Sequence, residues 1–239
     1  MALVLSEEQT MLRDAAKDFL SSRAPLSHLR RLRDEGVAEG FSRELWAEMA
    51  EMGWAAIIIP ESYGGLEYGY TGLGLVLEES GRTLTPSPLL STALLGASAL
   101  ILSENEDLCS EWLPQIAAGK KLLAVAFEES SQHRPGTVNC SAETTDGGYL
   151  LNGSKLAVID GHVADAFIIS ARTRTGKNLN EGVSLFLVAK DTPGLRVETT
   201  ELLDNHRTSK ILLDGVLVDR NRLVGPLHGG SQILQKVLD

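Results

Sequence analysis

Residues 146–172 read DGGYLLNGSKLAVIDGHVADAFIISAR. Asp146-Gly147-Gly148 and Asn152-Gly153 are turn formers, because Gly and Asn accept positive φ at little cost. Apolar residues flank both clusters, so the stretch predicts successive short antiparallel strands with a turn at each cluster. Asn152-Gly153-Ser154 is formally a glycosylation sequon, and is read here as a hairpin turn.

The same strand-like period extends to both sides. Residues 122–127, 137–143, 167–172, 183–188, 196–201 and 211–217 alternate or run apolar and are divided by Gly, Pro, Asp and Asn. A small antiparallel β-barrel or sandwich over 120–228 is the natural package. The polar run 173–181 reads as a solvated loop. Upstream the period is helical. Ser6-Glu7-Glu8-Gln9 is a capping box, and Leu12, Ala15, Ala16, Phe19 and Leu20 predict a helix over 7–22. Further helices are predicted over 42–52, 70–82, 89–102 and 107–118, with Pro86-Ser87-Pro88 as the break between the two longest. Trp46, Trp54 and Trp112 fall on apolar faces and read as core. The fold class is α+β: an all-helical N-terminal domain over 1–119, followed by the barrel.

A chain of 239 residues carrying a formal charge of −10 can bury a full core but has no basic field for phosphates. Nucleic acid and acidic membrane surfaces are thereby excluded as general partners. No window has the uninterrupted apolar length to span a bilayer, and no basic leader precedes the first helix, so a cytoplasmic protein is expected. Cys109 and Cys140 lack CxxC spacing, and His28, His133, His162, His206 and His228 lack metal-ligand spacing. There is no GxGxxG after a strand, no GxxxxGK[ST], no GxSxG and no HExxH. At the far end Ser231 is placed to cap a helix striped by Ile233, Leu234, Val237 and Leu238. Two turns are unstable alone, so 229–239 reads as the start of a truncated C-terminal helical domain, or one completed by a separate chain.

Asn152, Gly153, Lys155 and Gly161, together with WAAIIIPESYGG over 54–65, LEESGR over 77–82, VSLFLV over 183–188, Pro193-Gly194 and DGVLV over 214–218, resemble the acyl-CoA dehydrogenase flavoproteins. Pro86-Ser87-Pro88-Leu89-Leu90 beside an altered flavin loop is most similar to the pimeloyl-CoA dehydrogenase small-subunit group. The resemblance implies α,β-dehydrogenation of an acyl-CoA thioester. A glutamate would take the α proton, FAD the β hydride, and an electron-transfer flavoprotein the electrons, in a homo- or hetero-oligomer. It implies a C-terminal four-helix domain that supplies the base, so no catalytic residue is assigned within 1–239 and the chain alone should be inactive.

By the same resemblance the flavin loop falls on residues 127–134, where only Glu128 of the family's Thr-Glu-Pro-Gly-Ala-Gly-Ser-Asp remains. The family's flavin-packing Trp and Thr fall on Ala157 and Ile159. Phe127, Glu128, His133, Ala157 and Ile159 are therefore the candidate cofactor residues, with His133 and Arg134 as candidate contacts to substrate phosphate or acyl carboxylate. Two readings stay open: a flavin site with altered contacts, or a flavin-free partner subunit of a heteromeric dehydrogenase. Lys155 reads as a solvated strand lysine and Arg207 as a structural ion pair at the domain junction. The apolar stripe over 89–101 reads as core, with an acyl-chain tunnel as its functional alternative.

Overall fold

The computed structural model describes residues 4–176, 178–202, 204 and 206–239. Lys177 of the predicted loop and Asn205 ahead of Arg207 lie outside the described residues. Helix α1 (Glu7–Arg23) opens on the predicted capping box: the Gln9 backbone N–H donates to Ser6 Oγ at 3.1 Å, and the Ser6 N–H donates to Gln9 Oε1 at 3.0 Å. Helix α2 (Leu26–Asp34) has no counterpart in the sequence reading, because its Arg-rich LSHLRRLRD shows only a narrow leucine stripe; it buries His28 and Leu32. Helix α3 (Arg43–Glu51) is capped by Ser42, and α4 (Tyr70–Thr83) follows the 54–65 segment. All three tryptophans are core, at 2%, 1% and 8% exposure for Trp46, Trp54 and Trp112.

The single helix expected over 89–102 is two helices of different pitch. Leu89–Gly96 is a π-helix, continued by α5 (Ala97–Ser103), with α6 (Glu106–Ala117) capped by Asn105. Thr92 in the π-helix accepts from the Leu123 N–H at 3.0 Å and donates to the Leu123 carbonyl at 3.2 Å, which ties this segment to the first strand. Gly96 permits the approach, since a Cβ there would lie 3.1 Å from Leu123.

Strands β1 (Leu123–Ala126), β2 (Ser141–Thr145), β3 (Gly148–Ile159), β4 (Ala166–Arg172), β5 (Val183–Ala189), β6 (Leu195–Glu201) and β7 (Arg207–Val218) form one sheet. Its path is β1-β4-β2-β3-β7-β6, with β5 on the other edge of β4. The expected all-antiparallel barrel is corrected: β1 pairs with β4 in parallel, β2 touches β4 in parallel at Ser141–Arg172, and the sheet is a curled, mixed half-barrel. The chain leaves β1, makes the β2–β3 hairpin and only then enters β4, a crossover that forces the parallel pairing.

The burial pattern shows why β1, β4 and β5 read as unbroken apolar runs. Each is covered on both faces. Leu123, Val125, Ala166, Ile168, Leu185 and Leu187 pack into the core under the helices. Ala124, Ala126, Phe167, Ile169, Phe186 and Val188 fill the inside of the curl. The helical half and the sheet are therefore welded through these three strands.

A second correction concerns Asn152-Gly153, which is not a turn. It lies inside the continuous strand β3, where the pairing with β7 shifts register between Leu151 and Gly153. Gly153 has φ of 140° and a Cβ there would sit 2.9 Å from Cys140 Cα, while Asn152 Oδ1 accepts from the Gly215 N–H at 2.8 Å. The residue pair makes a β-bulge, which uses the same backbone freedom as a turn. The predicted strand over 137–143 begins late, at Ser141, because Asn139 and Cys140 are engaged by a side chain described below. Helix α7 (Gly230–Leu238) is entered through Gly229 and Gly230 instead of a Ser231 cap; Gly230 packs where a Cβ would lie 2.8 Å from the Ser184 backbone. Among the described residues no helix is long and apolar enough to cross a membrane.

Thr92→Val removes both hydrogen bonds to Leu123 at nearly constant volume. Urea unfolding should show a loss of about 1–3 kcal/mol; no loss would mean that the π-helix is held by packing alone.

Candidate functional site

The sequence reading misplaced Lys155 most. It is fully buried, with Nζ donating to Glu129 Oε1 at 2.7 Å and to Ser170 Oγ at 2.8 Å. Glu129 in turn accepts from the Asn139 N–H at 2.6 Å and the Cys140 N–H at 3.0 Å. Burial acts to raise the Glu129 carboxyl, but Lys155 and the two backbone donors outweigh it and hold the group below the ordinary carboxylate range. Burial pulls the Lys155 ammonium down from its ordinary value, opposed by Cys140 and Glu129. Burial also pushes the Cys140 thiol up to about 11, so it stays protonated and is no nucleophile.

The residue before Glu129 faces the other way. Glu128 Oε2 accepts from the Arg134 N–H at 3.1 Å, and His133 Nδ1 lies 2.6 Å from Glu128 Oε1. The His133 ring also stands edge-on to Phe127, with centroids 6.4 Å apart. The loop after β1 thus folds back on its own first residues. Leu156 donates its N–H to the Glu128 carbonyl at 2.8 Å, which places the end of β1 beside a second register shift of β3, between Lys155 and Val158. Ala157 occupies that bulge at φ of 50° and is exposed; Ile159, two residues on, is 36% exposed. Among the described residues the Phe127 and Glu128 backbone N–H groups donate to nothing. Phe127 and Glu128 thus stand beside the exposed Ala157 with backbone N–H groups that have no acceptor among the described residues.

Around this face two further groups are fixed. Arg172 donates from Nε to the Val138 carbonyl at 2.9 Å, from one terminal nitrogen to the Glu181 carbonyl at 2.8 Å, and from the other to the Leu179 carbonyl at 3.1 Å. It clips the β1–β2 loop to the β4–β5 loop. These loops and α7 border a cleft of about 340 Å³ lined by His133, Gly136, Asn180, Ser231, Leu234 and Gln235, among others. On the opposite side Asp160, at φ of 55°, accepts from Ser91 Oγ at 2.6 Å across the helix–sheet junction. There His162 Nε2 donates to the Glu39 carbonyl at 2.9 Å, and Arg207 donates to the Val37 and Ala38 carbonyls.

Sequence profiles now fit this geometry. The acyl-CoA dehydrogenase N-terminal domain matches residues 6–120, and the acyl-CoA dehydrogenase middle domain matches residues 128–216. The chain belongs to the acyl-CoA dehydrogenase family. An acyl-CoA dehydrogenase of Bacillus subtilis (strain 168) is 30% identical over 236 residues, which cover 96% of this chain and 61% of that protein. The caffeyl-CoA reductase-Etf complex subunit CarC of Acetobacterium woodii is 28% identical over 99% of this chain and 63% of its own length. The ChsE4-ChsE5 complex of Mycobacterium tuberculosis contains a chain that superposes with a TM-score of 0.86 at 27% identity, covering 99% of this chain and 61% of that one. The chain thus spans about three-fifths of the relatives it matches.

Within this acyl-CoA dehydrogenase fold the expected candidates separate into two groups. The Leu156–Glu128 hydrogen bond brings Phe127 and Glu128 beside Ala157, and Ile159 lies two residues further along β3. His133 is near it but 72% exposed in its side chain, and the Arg134 side chain is exposed. Arg207 does sit at the junction, where it donates to the Val37 and Ala38 carbonyls, and it pairs at 3.7 Å with the exposed Glu201. Sequence reasoning missed Glu129, Arg172 and Asp160. The signal for Glu129 was a second carboxylate next to Glu128.

Burial raises the Asp160 carboxyl above its ordinary value, with Ser91 opposing. A group harder to ionise when folded contributes stability in acid and loses it as pH rises through its folded value. Asp160→Asn keeps an acceptor for Ser91. It should melt higher than the native protein at neutral pH and lose that advantage in acid; an equal advantage at both would contradict the assignment.

Proposed function

We propose that the protein to which this chain belongs is an FAD-dependent acyl-CoA dehydrogenase that oxidises the α,β bond of an acyl-CoA thioester and passes electrons to an electron-transfer flavoprotein. The observation that carries this is the face where the unpaired Phe127 and Glu128 N–H groups meet the exposed bulge at Ala157. Backbone donors beside a flat apolar surface suit a planar heterocycle with carbonyl and ring-nitrogen acceptors. The family's stacking indole and donating hydroxyl are replaced by Ala157 and Ile159, but the backbone donors do not depend on side-chain identity. On that donor set the residues present fit FAD. When bound, FAD supplies the hydride acceptor for the dehydrogenation.

This chain's own groups bind and orient. Phe127 and Ile159 present apolar surface, Glu128 and His133 fold the loop over the face, and the cleft against α7 offers Asn180, Ser231 and Gln235 as polar contacts for a thioester's polar arm. Glu129 is committed to Lys155 and two N–H groups, and one oxygen of Glu128 accepts from the Arg134 N–H. By the family resemblance the base comes from the C-terminal domain, so neither carboxylate is assigned that role. Two relatives support partners: CarC is named as a subunit of a caffeyl-CoA reductase-Etf complex, and the other is named as the ChsE4-ChsE5 complex.

The full-length protein, purified with any co-expressed homologous subunit, should carry about one FAD per chain. Its visible flavin absorbance should bleach on adding acyl-CoA thioesters. Purified protein with no FAD, or with FAD only in the co-purified subunit, would make this chain the flavin-free partner and sink the proposal.

A further inference from the structure

The loop between β1 and β2 makes few ties to the rest of the molecule. Among the described residues the hydrogen bonds of 130–137 close on the loop itself: Ser130 with Gln132, Thr137 to Arg134, and Arg134 to Glu128. Its anchors lie at its two ends. Glu129 joins Lys155, Asn139 and Cys140 at one point; Glu128 accepts from Leu156; and Val138 accepts from Arg172. Lys155 precedes Ala157 by two residues on β3, and Glu129 directly follows Glu128, so one ion pair touches both halves of the open face.

We propose that the buried Lys155–Glu129 pair is a positioning device: it locks the β1–β2 loop against the β3 bulge in the register that leaves the Phe127 and Glu128 N–H groups facing the cofactor. The proposal rests on the flavin reading above and adds to it a residue pair that touches no cofactor. Stability alone is a poor reason for such a pair. Two charges taken from water into a packed sheet cost several kcal/mol each, and apolar residues of similar volume often serve folding as well. Directional specificity is what apolar residues lack. The Lys155 ammonium reaches Glu129 and Ser170 in one geometry only, and a loop shifted by one residue would bury an unpaired charge. The same carboxylate gathers both N–H groups that open the return to β2, so the loop has no second seat in which all these donors are satisfied.

The test uses the full-length protein and the double variant Lys155→Met/Glu129→Leu, which removes both charges and keeps the apolar volume. Three quantities are read: melting temperature, amide hydrogen exchange of residues 130–138 without added cofactor, and FAD retained per chain after gel filtration. The double variant should stay folded and melt somewhat lower than the native protein, because the Asn139 and Cys140 N–H groups lose their acceptor. Its loop should exchange about tenfold faster or more, the effect of losing a hydrogen bond's worth of local free energy, and its retained FAD should fall by a similar factor. Ser170→Ala, which takes one acceptor from Lys155 and leaves the pair, should give a smaller change in the same two readouts and keeps the test available if the double variant does not fold. A folded double variant with native loop exchange overturns the proposal, as does faster exchange with FAD retention unchanged. Native protein that binds no FAD sinks the flavin reading instead, and loop exchange still decides whether the pair is a clamp.

Discussion

A lysine with no solvent exposure sits inside a β-sheet, and everything near it is arranged to meet its charge. Glu129 and Ser170 accept its hydrogen bonds, and the Asn139 and Cys140 N–H groups donate to Glu129. Because an unpaired ammonium in that place would be prohibitively costly, the loop after β1 has to return along this one path. The consequences reach the surface. The loop's outer residues, Glu128 and His133, fold over the end of β1, and β3 leaves its pairing at Ala157 just beyond the lysine. A buried charge thus shapes the surface around Glu128 and Ala157.

The second constraint is that three strands are wetted on neither side. β1, β4 and β5 share one core with the helices and another with the inside of the curl, so the sheet cannot shift relative to the helical half without exposing apolar surface. Polar contacts then set the register of that joint: Thr92 with Leu123, Ser91 with Asp160, and His162 with Glu39. Ala157 and Ile159 therefore hold a fixed place relative to the π-helix. Under the proposed function, such rigidity would help align a planar cofactor with a thioester.

Much of the architecture was legible in the residues. Capping at Ser6, Ser42 and Asn105 marks helix starts through hydrogen bonds that involve only three or four neighbouring residues. The apolar runs of β1, β4 and β5 mark strands whatever their partners. What stayed hidden depends on residues far apart in the chain. Whether β1 runs parallel or antiparallel to its neighbour is decided by the crossover, which no local pattern records. Asn152-Gly153 carries the same conformational permission in a bulge as in a turn, so only the partner strand β7 distinguishes them. Lys155 looks solvated because its partner lies 26 positions away in sequence, and α2 looks like a loop because tertiary packing of Leu32, not its own pattern, holds it. At the candidate site, the resemblance points to Ala157 and Ile159 through its departures, while the backbone N–H donors have no side-chain signature to read and Glu129 is marked only by its place next to Glu128.

The claim on which the account turns is that this face receives FAD through backbone donors in place of the family's missing side chains. Amide hydrogen exchange of the full-length protein, compared with and without FAD, reads those donors one by one. FAD should slow exchange at Phe127 and Glu128 and along 157–161, and leave the outer side of α1 unchanged. Protection confined to other segments, or none at all under conditions where FAD is bound, would contradict it.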